Sequence, residues 1–343
     1  MNANRTVTVF GAYGHTGQFI VAELCRRGWT PILSGRDHEK LNQLGRVFPA
    51  LEWRAASVED PAAIDRALAG AAAVINCAGP FARTAKPIIE GALRARIHYL
   101  DVAAEIEANA DTFQHFADPA RDAGIVVIPA MAFYGGLGNL LATVAMDDWP
   151  FADEIRIAYG LSSWRPTPGT RLAGQVSRER RQGRRVVFTN GQMEFRTGPA
   201  PLAEWFFPAP LGKQAVMTEF TMADCVTIPR HLKTPEIRSC MNVAAVNDVS
   251  DPETGAPTAA DGSGRSSQTF VVDVVACLGA EERRAVASGR DIYAVTAPLI
   301  VEALARVVSG AVKRTGVLAA GEAFDARDFL RSLAPEHLSL EIT

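Results

Sequence analysis

Gly11, Gly14 and Gly17 recur at every third position directly after the apolar run Val7-Thr8-Val9-Phe10. Glycines spaced this way between a strand and a helix let backbone approach a bulky anion. The first admits a tight turn that a side chain would obstruct. The second clears room for a pyrophosphate, and the third lets the helix lie close to the sheet. The helix that follows, through Phe19-Ile20-Val21-Ala22-Glu23-Leu24, would aim free N–H groups and its dipole at the phosphates. Tyr13, His15 and Thr16 occupy the same turn and are candidate contacts. The spacing is GxxGxxG, which an ordinary strand-to-helix turn also uses, so a second signal is needed.

That signal comes from the next strand pattern, Thr30-Pro31-Ile32-Leu33-Ser34, which ends in Gly35-Arg36. Arg36 stands 19 positions past Gly17, where a dinucleotide site for NAD carries Asp or Glu to accept from the ribose hydroxyl. A guanidinium there makes forked, charge-assisted bonds to a phosphate. The pattern predicts NADP(H), with Ser34, Gly35 and Arg36 around the 2′-phosphate. A third loop, Asn76-Cys77-Ala78-Gly79-Pro80-Phe81, follows another apolar strand. Ala78, Gly79, Pro80 and Phe81 are expected to border the nicotinamide, with Pro80-Phe81 as a flat apolar wall.

Candidates for the remaining chemistry are sparse. Asp101 ends the strand His98-Tyr99-Leu100-Asp101, and it suits proton delivery, the orientation of a substrate amine, or the capping of the next helix. Tyr134, beside Gly135-Gly136, is a second catalytic candidate. Arg165, Arg171, Arg178, Arg180 and Arg181 form a basic cluster that is either a carboxylate clamp or a solvated helix face. Arg165, Arg178 and Tyr293 are the expected substrate contacts. Trp164, Trp205, Phe206 and Phe207 suit an apolar wall, a core or a dimer interface. No tyrosine is followed four places later by lysine, so the proton relay of short-chain dehydrogenases is missing. No nucleophile elbow and no phosphate-binding lysine motif occurs.

The elements that must position these groups follow an α/β plan. Strand patterns near 7–10, 30–34, 51–55, 72–76, 98–102 and 125–128 alternate with helical patterns near 38–48, from Asp60-Pro61, 85–95 and 109–123. Such alternation predicts a doubly wound parallel sheet covered on both faces, a Rossmann domain over residues 1–130. Beyond it the strands lengthen: 154–160, 185–189, 216–220, 236–246 and 268–278. These predict a second, mixed α/β domain on a largely antiparallel sheet over 131–343, for substrate and dimerisation. Residues 247–267 read as a long exposed loop, and 293–309 and 325–332 as helices. Part of the C-terminal segment is a candidate to return to the first domain.

Bulk properties exclude several classes. The 343 residues are 48% apolar and 21% charged, ordinary for a globular protein. A net charge of −3 gives no case for nucleic acid or an anionic membrane. The five scattered cysteines include no CxxC, and the histidines no HxxxH, so reduced thiols in a cytoplasmic protein and no metal are expected. No signal peptide is read at the start. The uncharged stretch 125–146 is interrupted by Pro129, Gly135, Gly136 and Gly138, and it reads as strand, loop and short helix rather than a membrane span.

Taken together, Val9 to Gly17, Ser34-Gly35-Arg36, Val74 to Phe81 and His98 to Glu105 resemble the NADP-binding branch of the saccharopine dehydrogenase-like family. Gly289 to Ala297, Gly316-Val317-Leu318 and Gly321 to Phe324 resemble the closing segment of its short bacterial members. Ser57-Val58 replaces the family's Asp-rich turn, and Ala104-Glu105 its Gly-Glu. The resemblance implies a homodimeric enzyme that transfers a hydride from NADPH to a polarised C=N or C=C bond of a small molecule. Two alternatives stay open: a non-catalytic NADP-binding sensor or scaffold, and an amino-acid or opine-type dehydrogenase working oxidatively. The family name does not fix the substrate.

Overall fold

Val7, Val9, Leu33, Val74 and Ile75 are fully buried, as strands covered by helices on both faces require. The computed structural model describes residues 4–343; the reading of a leaderless start falls on Met1–Ala3, outside the described residues. The chain forms two compact units. One runs to Ala132 and includes Thr296–Leu318; the other comprises Phe133–Val295 and Ala319–Thr343.

In the first unit, β1 (Thr6–Phe10), α1 (His15–Arg26), β2 (Thr30–Gly35), α2 (His38–Val47), β3 (Trp53–Ala55) and α3 (Pro61–Leu68) follow in strict alternation. They continue through β4 (Ala73–Asn76), α4 (Phe81–Ala95), β5 (His98–Asp101), α5 (Ile106–Ala123) and β6 (Val126–Ile128). The second unit contributes α6 (Gly138–Met146), β7 (Glu154–Leu161), α7 (Pro168–Arg180), β8 (Arg185–Thr189), β9 (Gln192–Arg196), β10 (Leu202–Phe206) and β11 (Lys213–Met217). Next come α8 (Asp224–Thr227), β12 (Ile237–Asn242), α9 (Val243–Ser250), β13 (Thr269–Leu278) and β14 (Glu281–Arg290). The chain then adds α10 (Thr296–Val308) and β15 (Gly316–Val317) to the first unit, and closes the second with α11 (Ala320–Ala323), α12 (Ala326–Leu333) and β16 (Leu338–Ile342).

The first unit is a seven-stranded sheet in the order β15-β6-β5-β4-β1-β2-β3, parallel throughout. Strand order reverses between β1 and β4, where Phe10 is in register with Ser34 on one side and Asn76 on the other. The carboxyl ends of β1, β2 and β4 therefore open together at the switch point, where doubly wound sheets bind ligands. α10 covers α1, and Arg27 bridges Glu23 and Glu302 at 2.6 and 2.7 Å.

The second unit is a nine-stranded mixed sheet. β10-β11-β12-β7-β13-β14-β16 form its path, with β8 joined to β12 and β9. β7 and β12 run parallel and every other pair is antiparallel. One core cluster packs Ala158, Phe207, Val216, Cys240, Val271 and Val286, with Trp205 and Leu211 against it. Phe207 and Trp164 are buried, whereas Phe206 is 65% exposed. The pattern expected as one strand over 236–246 divides. Asn242 turns its side chain onto β7, accepting from Leu161 N at 3.0 Å and donating to Leu161 O at 2.9 Å, and α9 begins at the next residue. The loop expected from 247 thus starts after Ser250. It is held by Arg171, which donates to the carbonyls of Asp251 and Thr254. The strand expected at 216–220 lies at 213–217, and α4 starts at Phe81 rather than Ala85.

Candidate functional site

β1 hands the chain to the glycine turn at Gly11, whose φ is +83°. Gly11 N and Ala12 N both donate to Ser34 O, at 2.8 and 3.1 Å, which pins the turn to the end of β2. A Cβ on Gly11 would lie 2.8 Å from Ala78 N, and one on Gly17 would lie 2.4 Å from Gly11 O. These two glycines allow the turn, α1 and the loop after β4 to meet. Gly14 differs: it precedes α1 at φ −68°, and a Cβ there would meet only Gly11 O, at 3.1 Å. Its role is to keep the surface before the helix open. α1 has no side-chain cap and no acidic residue in its first turn, so its leading N–H groups are offered to an anion. His15 packs edge-on against Phe19 at 5.2 Å, and Thr16 sits half-buried beside it.

Tyr13 joins this turn to the tip of β2. Its ring lies where a Cβ on Gly35 would stand, at 2.6 Å, and its hydroxyl accepts from Asp37 N at 3.3 Å. Lys40 Nζ lies 5.7 Å from the Tyr13 ring centroid and 3.5 Å from Asp37 Oδ2. Asp37 caps α2 by accepting from Lys40 N at 3.1 Å. The acidic residue next to Arg36 is thus engaged with its own helix. Arg36 is exposed and, among the described residues, takes no ion-pair partner. Ser34 is fully buried and donates its hydroxyl to Arg54 O at 2.8 Å, so it shapes the site through its backbone.

The loop after β4 is fixed by buried polar groups. Asn76 accepts from Ala78 N at 3.0 Å and donates to Thr84 and to the Tyr99 hydroxyl, both at 3.2 Å. Thr84 donates to Ala78 O at 2.5 Å. Gly79-Pro80 is a cis peptide, and Phe81 begins α4 buried. Glu105, from the loop after β5, accepts from Phe81 N at 2.6 Å and Ala82 N at 3.0 Å. Burial raises the Glu105 carboxyl above its ordinary range, against those two bonds. This cap reaches back 24 residues, which is why α4 starts four residues before its apolar pattern.

Asp101 is buried at the end of β5. Oδ1 accepts from Ala103 N at 3.0 Å and Ala130 N at 2.8 Å, and Oδ2 from the Tyr99 hydroxyl at 2.8 Å. It does not cap α5, which Glu105 precedes. Burial pushes its pKa up to about 6 despite these donors. The geometry engages both oxygens in holding the ends of β5 and β6.

In the second unit, Tyr134 follows Phe133 in a kinked segment with Gly135 at φ +90°. Its ring packs on Phe133, Tyr159 and Trp164 at 4.8, 5.2 and 5.3 Å between centroids. Tyr293 accepts from Thr167 N at 3.3 Å and lies 3.1 Å from the Thr170 hydroxyl. A cavity of about 170 Å³ is lined by Ser163, Arg165, Pro257, Thr258, Ser266, Ser267, Gln268 and Tyr293. Arg165 and Tyr293 thus share one polar pocket. Arg178 is exposed near the end of α7 and does not line it. The sequence did not single out Tyr159 or Asp224, whose side chains meet at 2.9 Å. Only the fold brings β7 and α8 together, and no local spacing signals the pair.

None of the five cysteines is in a disulfide, and no His, Cys, Asp and Glu grouping able to hold a metal occurs among the described residues. No helix among the described residues is long and apolar enough to cross a membrane.

Residues 7–128 match the family model of the saccharopine dehydrogenase NADP-binding domain. Saccharopine dehydrogenase-like oxidoreductases of Bos taurus and Homo sapiens are 26% and 27% identical over 147 residues, 37% of this chain and 34% of theirs. A probable mitochondrial saccharopine dehydrogenase-like oxidoreductase of Arabidopsis thaliana is 26% identical over 148 residues, 37% of this chain and 31% of its own. The matched part is about a third of the length of these relatives. Apo saccharopine dehydrogenase (L-Glu forming) from Saccharomyces cerevisiae has a similar fold, with a TM-score of 0.67 at 12% identity over 99% of this chain and 100% of that one. Residues 7–128 therefore form a saccharopine dehydrogenase-type NADP-binding domain, at the head of a chain with the saccharopine dehydrogenase fold.

Proposed function

We propose that this chain is an NADPH-dependent oxidoreductase that reduces a polarised C=N or C=C bond of a small substrate carrying an anionic group. The observation that carries this reading is the pairing of an open glycine turn with an unpaired Arg36 at the neighbouring strand tip. The residues fit the cofactor: glycines that a Cβ would fill, an uncapped helix start without acidic residues, and a guanidinium with no competing carboxylate. When bound, NADPH supplies a hydride from the nicotinamide C4.

The chain's own residues then act by placement. Backbone N–H groups of His15, Thr16 and Gly17 at the start of α1 hold the pyrophosphate. Arg36 takes the 2′-phosphate over the shelf made by Tyr13 and Gly35. The loop Ala78–Phe81 walls the nicotinamide side, kept rigid by Asn76, Thr84 and Glu105. Arg165, with Ser163, Ser266 and Tyr293 around it, anchors the substrate anion. Tyr134 is our candidate for proton delivery. Asp101 acts behind the loops as a clamp. We also read the protein as a homodimer; Leu202 and Phe206, 67% and 65% exposed on the open edge strand β10, support pairing with a second copy.

The test is a titration with NADPH and NADH followed by nicotinamide fluorescence, then single-turnover oxidation of bound NADPH with a panel of imines and enones bearing carboxylates. Tight NADPH binding and turnover of one class are expected. NADPH binding without turnover of any substrate would favour the sensor reading, and binding of neither cofactor by folded protein would end both.

A further inference from the structure

The cavity beside Arg165 lies wholly within the second unit, and its hydrogen-bonding groups are one-sided. Its walls are the connection leaving β7 (Ser163, Arg165), the loop after α9 (Pro257, Thr258) and the approach to β13 (Ser266, Ser267). Of the described residues that line it, Arg165 alone is charged. The Arg165 guanidinium takes no hydrogen bond or ion pair from the described residues. The hydroxyls of Ser163, Thr258, Ser266 and Ser267 take none from them either. Ser266 lines the cavity although it is only 8% exposed.

Acceptors around the same walls are already engaged. The carbonyl of Ser163 accepts from Gln268 Nε2, that of Arg165 from the Tyr293 hydroxyl at 3.3 Å, and that of Ser266 from Arg290 Nε at 2.9 Å. Gln268 Oε1 accepts from Ile292 N at 3.0 Å. Three carboxylates stand behind the walls, and each is held. Asp291 is fully buried and accepts from Ser266 N at 2.7 Å and from Tyr293 N and Ala294 N at 3.0 Å each. Asp248 accepts from Trp164 N at 2.8 Å, and Asp261 pairs with Arg290. None of the three lines the cavity. Its volume of about 170 Å³ is below the roughly 300–1,000 Å³ of sites for drug-sized ligands, so it suits a head group.

We propose that this cavity binds a small oxyanion, carboxylate or phosphoryl, that carries no ammonium group beside it. The inference deepens the reading of Arg165 as the substrate anchor, and rests on that reading for calling the ligand a substrate. The guanidinium fork takes two oxygens of the anion, and free hydroxyls donate to its remaining lone pairs. An ammonium on the neighbouring atom would face the Arg165 charge and meet no carboxylate. A hydroxyl can accept from an ammonium, yet it brings no charge against it, so the hydration lost on entry is not replaced. Simple carboxylates, oxo acids and phosphate esters fit this wall. The head of an α-amino acid, with carboxylate and ammonium on one carbon, does not.

Ligand-observed NMR titrations of the full chain test this with matched pairs: butyrate against L-2-aminobutyrate, and ethyl phosphate against phosphoethanolamine. Within a pair the anion is kept and an ammonium is added. At least one bare anion should bind, about 10-fold or more tighter than its partner, and which one does so separates carboxylate from phosphoryl. Arg165→Gln should weaken it about 10- to 100-fold, the range of a lost charge-assisted contact. Arg165 is exposed and unpaired, so that variant keeps its fold. Ser267→Asp places a carboxylate at an exposed lining position, and should weaken the bare anion and narrow the gap within the pair. No binding of either bare anion, equal affinity within both pairs, binding unchanged in Arg165→Gln, or a gap unchanged in Ser267→Asp overturns the proposal. The reductase reading fails separately. Arg165-dependent binding of a bare anion, with NADPH oxidised by no substrate, would remove that reading and leave the cavity assignment standing. Oxidation of NADPH by α-amino acid-headed substrates, at rates that Arg165→Gln leaves unchanged, would do the reverse.

Discussion

Replacing Arg36 by alanine should convert a selective cofactor site into a nearly indifferent one. The side chain is exposed and unpaired, so its removal leaves no buried partner behind and stability should be unchanged. What is lost is one charge-assisted contact to the 2′-phosphate. Hydrogen bonds to charged groups contribute about 1.5–3 kcal/mol, and solvent at this tip places the value near about 2 kcal/mol. At 1.4 kcal/mol per factor of ten, NADPH affinity should fall about 30-fold. NADH has no phosphate there and should bind as before. Selectivity will not vanish, because Lys40 stands beside the same shelf, 5.7 Å from the Tyr13 ring and only loosely engaged by Asp37 at 3.5 Å. The Arg36→Ala/Lys40→Ala double variant should erase the remaining preference. Fluorescence titrations with both cofactors at two salt concentrations measure this, and the wild-type preference for NADPH should shrink as salt rises. Equal weakening of NADH and NADPH in Arg36→Ala would refute the placement of the 2′-phosphate.

The glycines of the turn should separate by function. Gly17→Ala places a Cβ 2.4 Å from Gly11 O and should destabilise the fold in thermal melts, while Gly14→Val should fold yet show no NADPH fluorescence enhancement. Glu105→Ala leaves two backbone N–H groups of α4 without an acceptor, and urea unfolding should show a loss of about 2–4 kcal/mol. Asp101 holds its proton more tightly folded than unfolded, so its contribution is complete below its ordinary value of 3.8 and is lost as pH rises through about 6. Asp101→Asn should flatten the stability profile across that window. A slope identical to wild type would mean that the clamp ionises as it does in solvent.

The cofactor half was legible because its signals are local. Apolar runs at β1, β2 and β4 and the glycine spacing lie within single stretches of chain. Missed features arise where distant residues decide the outcome. α4 begins early because Glu105 caps it from beyond the next strand. The expected strand over 236–246 stops at Asn242, whose side chain is captured by Leu161. β9 and β10 expose Met193, Phe195, Leu202 and Phe206, so neither shows the inward alternation that marks a half-buried strand. β14 begins Glu281-Glu282-Arg283-Arg284, a charged run that reads as a loop. Arg165 and Tyr293 stood out by residue type alone, and that both line one pocket is a product of the fold. Asp224 and Tyr159 carry no spacing signal, and their pairing is a product of tertiary structure alone.

The interleaving of the two units bears on the order in which the molecule can be built. β15 forms the outer edge of the cofactor sheet beside β6, and α10 covers α1 with Glu302 reaching Arg27. During synthesis these pieces leave the ribosome only after nearly all of the second unit has emerged. The nascent cofactor sheet must wait with β6 as a bare edge and one face of α1 wet. For the same reason a fragment ending at Ala132 would be an unfinished domain, and dissection of this protein must join the early segment to Thr296–Leu318 by a designed linker.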